Sequence, residues 1–190
     1  FTKFHRQLRR RSHLSPMKKL KLNLRDKTAA YIDWANAYGW RKTLKEKPDP
    51  QKIFKYLSEL KQIEFKGFYY GTDKHPKSKK FIKLMKKVGY QVKTKPVKKI
   101  IIGHLGDKNI YKRKCDLDIE ICMDVYQCLE KGFNGFIFFT GDGDFEPIYK
   151  YLIKKRKQVI VVYTKGHLGR EIWEMKQGIF KVELPRLIKT

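Results

Sequence analysis

Three cysteines in 190 residues (Cys115, Cys122, Cys128) are too few and too unevenly spaced for a disulfide framework, and no Cys-x-x-Cys pair offers a thiolate zinc site. The expectation is a reduced, cytoplasmic protein. Long apolar runs are missing too. Nothing approaches the roughly 20 residues of a membrane span, and no apolar signal segment opens the chain, so no membrane role by insertion is expected. The five histidines stand singly, which speaks against a histidine-built metal centre. There is no internal repeat. Negative charge is scarce above all: 19 Asp and Glu stand against 45 Lys and Arg, a formal net charge of +26. Such an excess calls for an acidic partner, with nucleic acid the first candidate and an anionic membrane surface the second.

What is present supports a folded domain. Hydrophobic residues make up 41% of a chain long enough to bury a real core. Residues 1–22 carry Lys3, Arg6, Arg9, Arg10, Arg11, Lys18, Lys19 and Lys21 and no acid. This reads as a basic N-terminal arm, either lying along phosphates or simply solvated, with Met17 an internal start that would make residues 1–16 a leader. Residues 23–190 read as the domain itself.

Within that domain, strand-like and helix-like patterns alternate. Strands are expected at 28–33, 63–70, 90–93, 134–140, 159–163 and 179–184, helices after Pro50 and at 116–129, 145–156 and 167–177, and a basic loop running into a helix over 74–87. Asn36 is expected one loop turn beyond the first strand. Segments 99–103 and 109–114 suggest a hairpin around Gly106-Asp107. Strands alternating with helices predict a three-layer α/β fold, with helices on both faces of a mainly parallel sheet.

The chain is organised around Phe138-Phe139-Thr140-Gly141-Asp142-Gly143-Asp144-Phe145. An aromatic, buried strand stops at two glycines and two aspartates, and a helical pattern follows. The carboxyl end of such a strand is where a parallel sheet presents its working groups. Asp33 closes the first strand in the same way. Asp118, in the first turn of the 116–129 helix, falls on the face shared with Cys122, Val125 and Leu129, where a carboxylate is costly unless paired or bound to a cation. Asp124 lies on that face too. Asp33, Asp118, Asp142 and Asp144 are therefore expected to meet at one sheet edge. Four carboxylates together repel, and oxygen-only ligands suit Mg²⁺ or Mn²⁺. Carboxylate-held metal in a chain of this charge points to phosphodiester chemistry.

These residues resemble the NYN domain, in the LabA-like branch of the PIN-like nucleases. The resemblance runs from about 28 to 184, through YIDWANAY (31–38), FYYGTDKHPKSKKFIKLMKKVGYQV (68–92), KCDLDIEICMDV (114–125), TGDGDFEPI (140–148) and the closing IFKVEL. It implies a Rossmann-like PIN fold with strand order near 3-2-1-4-5 and a metal-dependent endoribonuclease acting on RNA, single-stranded in preference. Asp33, Asn36, Asp118, Asp142 and Asp144 would then be catalytic, the four aspartates holding metal. Trp34 stands where the family often has glycine, and would narrow the groove or stack on a base. Glu120 and Asp124 match family positions of supporting or structural role.

The substrate contacts expected beside that centre are Asn36, Thr140, Trp34, Arg41 and Lys42, with Lys74, Lys77, Lys79 and Lys80 on a loop at 73–80. Tyr38 and Trp40 are further stacking candidates, and Lys165 and Arg170 would border the same mouth. A catalytically idle RNA-binding module and a DNA nuclease of the same fold are the alternatives, and a homodimer is left open.

Overall fold

Alternation along the strands explains how this chain builds a core on both faces of one sheet. The computed structural model describes residues 20–188 except 45 and 107, so residues 1–19 of the expected arm lie outside the described residues. In β1 (Thr28–Asp33) every residue is buried. Ala30 and Ile32 point to one face, where they join Phe68, Ile137, Phe139, Ile160 and Val162. Ala29 and Tyr31 point to the other, with Tyr69, Phe136, Phe138, Val159 and Val161. A period of two in a strand buried on both faces gives such a pair of cores.

The remaining sheet strands are β2 (Ile63–Thr72), β3 (Gln91–Pro96), β6 (Gly135–Phe139), β7 (Gln158–Tyr163) and β8 (Ile179–Glu183). All pair in parallel, in the order β3-β2-β1-β6-β7-β8. Between β3 and the second half of the sheet, β4 (Lys98–Leu105) and β5 (Lys108–Lys114) form a separate antiparallel hairpin. Setting those two aside, the order is the expected one with a sixth strand added. β3 ends on Pro96, which an edge strand tolerates because no neighbour needs its missing N–H.

Helices α1 (Trp34–Gly39), α2 (Pro50–Ser58) and α3 (Pro76–Val88) cover one face, and α4 (Asp118–Glu130), α5 (Glu146–Lys154) and α6 (Arg170–Glu174) the other; α7 (Leu184–Leu187) ends the chain. Leu22 and Leu24 are buried in the first core, and the Leu20 N–H donates to the Arg186 carbonyl at 2.8 Å. The last residues of the expected arm are thus packed on the domain. Gly89 ends α3 with φ of +115°, the left-handed cap that glycine adopts without strain.

Two expectations need correcting. The residues after Asp33 form no loop: α1 is a six-residue helix capped by Asp33 itself. The segment 73–80 is a loop only as far as His75. Pro76 occupies the first helical turn, where its missing N–H costs nothing, and the buried Ser78 hydroxyl accepts from the Asp73 N–H at 3.3 Å and meets the Thr72 hydroxyl at 3.1 Å. Lys77, Lys79 and Lys80 are therefore on α3.

α4 is held to the edge of the sheet by a polar network that is buried at Tyr69 and Asp124 and open at its lysines. Asp124 accepts from the Tyr69 hydroxyl at 2.5 Å and pairs with Lys93 at 2.5 Å, while Glu120 pairs with Lys95 at 2.9 Å. No helix among the described residues is long and apolar enough to cross a membrane.

Candidate metal centre

β1 and β6 are neighbours at the centre of the sheet, and the chain leaves β1 toward β2 on one side but returns to β6 on the other. Such a reversal opens a crevice at the carboxyl ends of the two strands. Asp33 stands at one of these ends and Thr140-Gly141-Asp142 at the other. One Asp33 oxygen caps α1 by accepting from the Asn36 N–H at 3.2 Å, and the other accepts from the Thr140 hydroxyl at 3.2 Å. The same hydroxyl oxygen accepts from the Asp142 N–H at 3.2 Å. The Asn36 amide oxygen accepts from the Gly141 N–H at 3.0 Å and from the Trp40 indole at 3.1 Å. Asp33, Asn36 and Thr140 therefore act as one clamp on the loop that carries Asp142 and Asp144.

A second clamp comes from the loop after β7. The Gly169 N–H donates to the Gly141 carbonyl at 2.6 Å, and any Cβ on Gly141 would overlap the His167 carbonyl. Only glycine permits that approach.

Two Asp-x-Asp pairs present the acids in the same local geometry. The Asp142 carboxylate accepts from the Asp144 N–H at 3.1 Å, and the Asp116 carboxylate accepts from the Asp118 N–H at 3.1 Å. Short aspartate side chains commonly bond the backbone two residues on. Asp118, Asp142 and Asp144 each offer a carboxylate oxygen, all within 4.8 Å of one another. Asp33 stands outside this trio but close enough to feel the charge of Asp118 and Asp142.

The electrostatics follow from this crowding. Burial pushes the Asp33 carboxyl up to about 6 against its hydrogen bonds to Asn36 and Thr140. Burial, then the Asp116 charge and hydrogen bond, then Asp33 and Asp142, push Asp118 up to about 7. Asp116 moves the other way, lowered first by the Asp118 N–H. The Tyr149 hydroxyl is fully buried, has no hydrogen-bond partner among the described residues, and is raised by burial and by the charges of Asp33, Asp142 and Asp118. Like charges held together and an orphaned hydroxyl beside them suit a hydrated, oxygen-liganded divalent cation.

The NYN domain model matches residues 27–176, most of the chain and all of this site. The chain belongs to the NYN domain family. That family is one of PIN-like nucleases, generally ribonucleases. The NYN chain is 32% identical over 126 residues to the low amplitude and bright protein LabA of Synechococcus elongatus, a match covering 65% of this chain and 66% of that protein. It also superposes on a Vibrio parahaemolyticus protein of unknown function with a TM-score of 0.66 at 20% identity, over 85% of this chain and 96% of the other, a likeness of fold.

Other residues of the NYN domain fall differently from expectation. Trp34 is only 6% exposed, its ring centre 5.3 Å from that of Phe68 and 5.8 Å from that of Phe81, so it fills the core instead of offering a face to a base. Trp40 is fully buried as well, and Thr140, at 2% exposure, is a scaffold residue inaccessible to substrate. Asp124, expected in a supporting or structural role, does not depart from it: its partners are Tyr69 and Lys93.

Exposed positive charge does border the carboxyl edge. Lys74 and Lys79 line a groove of about 720 Å³ with Thr72, Asp73, Pro96, Val97 and Lys99. Lys77, Lys80, Arg41, Lys42 and Lys165 are exposed, and the Arg41 guanidinium lies 4.0 Å above the Tyr38 ring. Arg170 is paired with Glu174. Sequence reasoning misses Tyr149 and Asp116. In the sequence Tyr149 is one more member of an apolar helical stripe, whereas Asp116 has a legible signal, the same Asp-x-Asp spacing as the pair at 142 and 144.

Proposed function

We propose that this NYN domain is a metal-dependent endoribonuclease that hydrolyses RNA phosphodiester bonds. The observation that carries the reading is the convergence of Asp118, Asp142 and Asp144 within 4.8 Å at the carboxyl edge of a parallel sheet, in a chain of net charge +26. In this reading the trio, with Asp33 beside it, holds Mg²⁺ or Mn²⁺. The bound ion would supply the charge that lowers the pKa of a water and offsets charge on the phosphate. The remaining work belongs to the chain. Asn36 and Thr140 set the height of the Asp142 loop, and Asp116 fixes the turn that aims Asp118. Tyr149 lies against the acids as a buried hydroxyl able to orient a bound water. Lys74, Lys77, Lys79, Lys80, Arg41 and Lys42 attract the polyanion and hold it over the sheet edge. Thr140 and Trp34 act through position alone.

The test is incubation of labelled single-stranded RNA and DNA with the protein in Mn²⁺ and in EDTA, alongside Asp142→Asn. Wild type should cut RNA in Mn²⁺ only, and Asp142→Asn should lose cleavage by at least roughly a hundredfold while still binding RNA. Binding of RNA by wild type with no metal-dependent cleavage would make the domain an idle RNA-binding module. Preferential cutting of DNA would reassign the substrate.

A further inference from the structure

Among the described residues the β4–β5 hairpin contributes none to the acidic centre, yet its root is fastened to the elements that do. The Val97 N–H donates to the Thr72 carbonyl at 2.9 Å, at the end of β2. The Lys95 ammonium donates to the Asp116 carbonyl at 3.0 Å and pairs with Glu120, at the start of α4. Cys115 closes against Gly71, where a Cβ would meet it at 2.9 Å. The hairpin therefore leaves the domain in a direction set by the strand ends beside Asp33 and by the turn that aims Asp118.

Its two faces differ. Residues paired across the strands share a side, and sides alternate along each strand. Lys98, Ile100 and Lys114 face a hollow at the root with Cys115 and Asp116. Lys99 faces the opposite way, into the groove lined by Lys74 and Lys79. On that second side Ile101 lies opposite Tyr111 and His104 opposite Asn109. Tyr111 is 52% exposed, and its hydroxyl accepts from the Asn109 side-chain amide at 3.3 Å, which steadies the ring along the strand. One continuous surface thus offers three lysines at its base and an aromatic ring beyond them. A positive groove followed by an exposed aromatic is how sequence-tolerant single-strand binding is built.

We propose that this face of the hairpin is a single-stranded RNA platform, Lys74, Lys79 and Lys99 holding phosphates and Tyr111 stacking on a base upstream or downstream of the acidic trio. The proposal rests on the ribonuclease reading above. Charge selects the occupant. In sequence, residues 98–114 carry Lys98, Lys99, Lys108, Lys112, Arg113 and Lys114 against a single acid, Asp107, so a second copy of the chain would bring like charge to the same surface.

The experiment is fluorescence anisotropy of the full chain, in EDTA, with an unstructured RNA of about 20 nucleotides across a salt series. Tyr111→Ala should weaken binding roughly tenfold, Tyr111→Phe should restore most of it, and Lys99→Ala should lower the salt slope by about 0.7. Lys98→Ala, the same charge change on the other face, should lower it less. Thermal melting checks that each variant is folded. Wild-type affinity in both Tyr111→Ala and Lys99→Ala, or equal losses in Lys98→Ala and Lys99→Ala, would overturn the platform while leaving the ribonuclease reading in place. Failure of wild type to bind any RNA would remove that reading and the platform with it. If Tyr111→Ala instead loses binding to vesicles containing about 30% phosphatidylserine and keeps its affinity for RNA, the hairpin is a membrane-binding element and the proposal is wrong.

Discussion

On the proposed metal-dependent reading, acid should strip Mn²⁺ from this centre in a steep and calculable way. Asp118 has its carboxyl pushed up to about 7 and Asp33 to about 6, both first by burial. A cation held by these groups must displace their protons, so apparent affinity tracks the fraction of molecules with both ionised. From those two values, roughly three quarters of molecules are doubly ionised at about pH 7.5 and under roughly one in a hundred at about pH 5.5. Apparent Mn²⁺ affinity should therefore fall about a hundredfold over those two pH units, and cleavage at limiting metal should fall with it. Titration calorimetry with Mn²⁺ at a series of pH values reads this directly. Asp33→Asn, which keeps the cap on α1, should remove the lower step and flatten the curve. The metal-free protein should show the opposite sign. Both folded values exceed the ordinary 3.8, so the folded state holds protons more tightly than the unfolded one. The contribution of these two groups to stability is greatest below about pH 4 and is lost as pH rises through 6 and 7. Mn²⁺ affinity equal within threefold at the two pH extremes would refute the reasoning.

Three further outcomes are expected. Asp124→Ala leaves the buried Tyr69 hydroxyl without its acceptor and Lys93 without its partner, so stability should drop by about 1–3 kcal/mol in urea unfolding; an unchanged midpoint contradicts the network's role. Lys93 is 44% exposed on its side chain and can be solvated without its partner, so most of that loss should come from the Tyr69 hydroxyl. Asn36→Ala frees the Gly141 N–H and should slow RNA cleavage at saturating substrate by roughly tenfold or more, with a smaller change in RNA affinity; a fall in melting temperature with unchanged turnover would make Asn36 a stabilising residue only. Replacing Lys74, Lys77, Lys79 and Lys80 together with alanine should reduce the salt dependence of RNA binding by about 0.7 log units for each phosphate no longer neutralised, and an identical slope would move the RNA path elsewhere.

Much of the architecture is legible in the sequence because the strands are buried on both faces and the punctuation between them is strong. Aromatic 136–139 followed by Gly-Asp-Gly-Asp can be placed at a strand end from residue types alone, and so can Asp33. Asp118 is legible from a helical face on which a carboxylate is out of place. The losses have a common physical source. α1 has six residues, too few for a period of 3.6 to register, so Trp34 and Trp40 look like exposed aromatics when they are core. Pro76 and Ser78 look like loop residues because proline and serine favour both turns and helix starts, and only the Thr72 and Asp73 hydrogen bonds decide between them. Thr140 and Asn36 stand in the right neighbourhood, but a sequence does not say that a hydroxyl or amide is spent on backbone.

The arrangement of β1 between β2 and β6 governs when the acidic centre can assemble during synthesis. Asp33, which flanks the acidic trio, is made early, while the strand that must lie beside it is not complete until residue 139. Until then the edge of β1 is bare, a short apolar template open to pairing with another chain. A chain this basic would by then already present the lysines of β3 and the hairpin to any polyanion nearby. It would lack Asp142 and Asp144, and the clamp that holds them waits further still for Gly169. The basic surface of β3 and the hairpin is therefore complete along the chain before the acidic trio and its second clamp are.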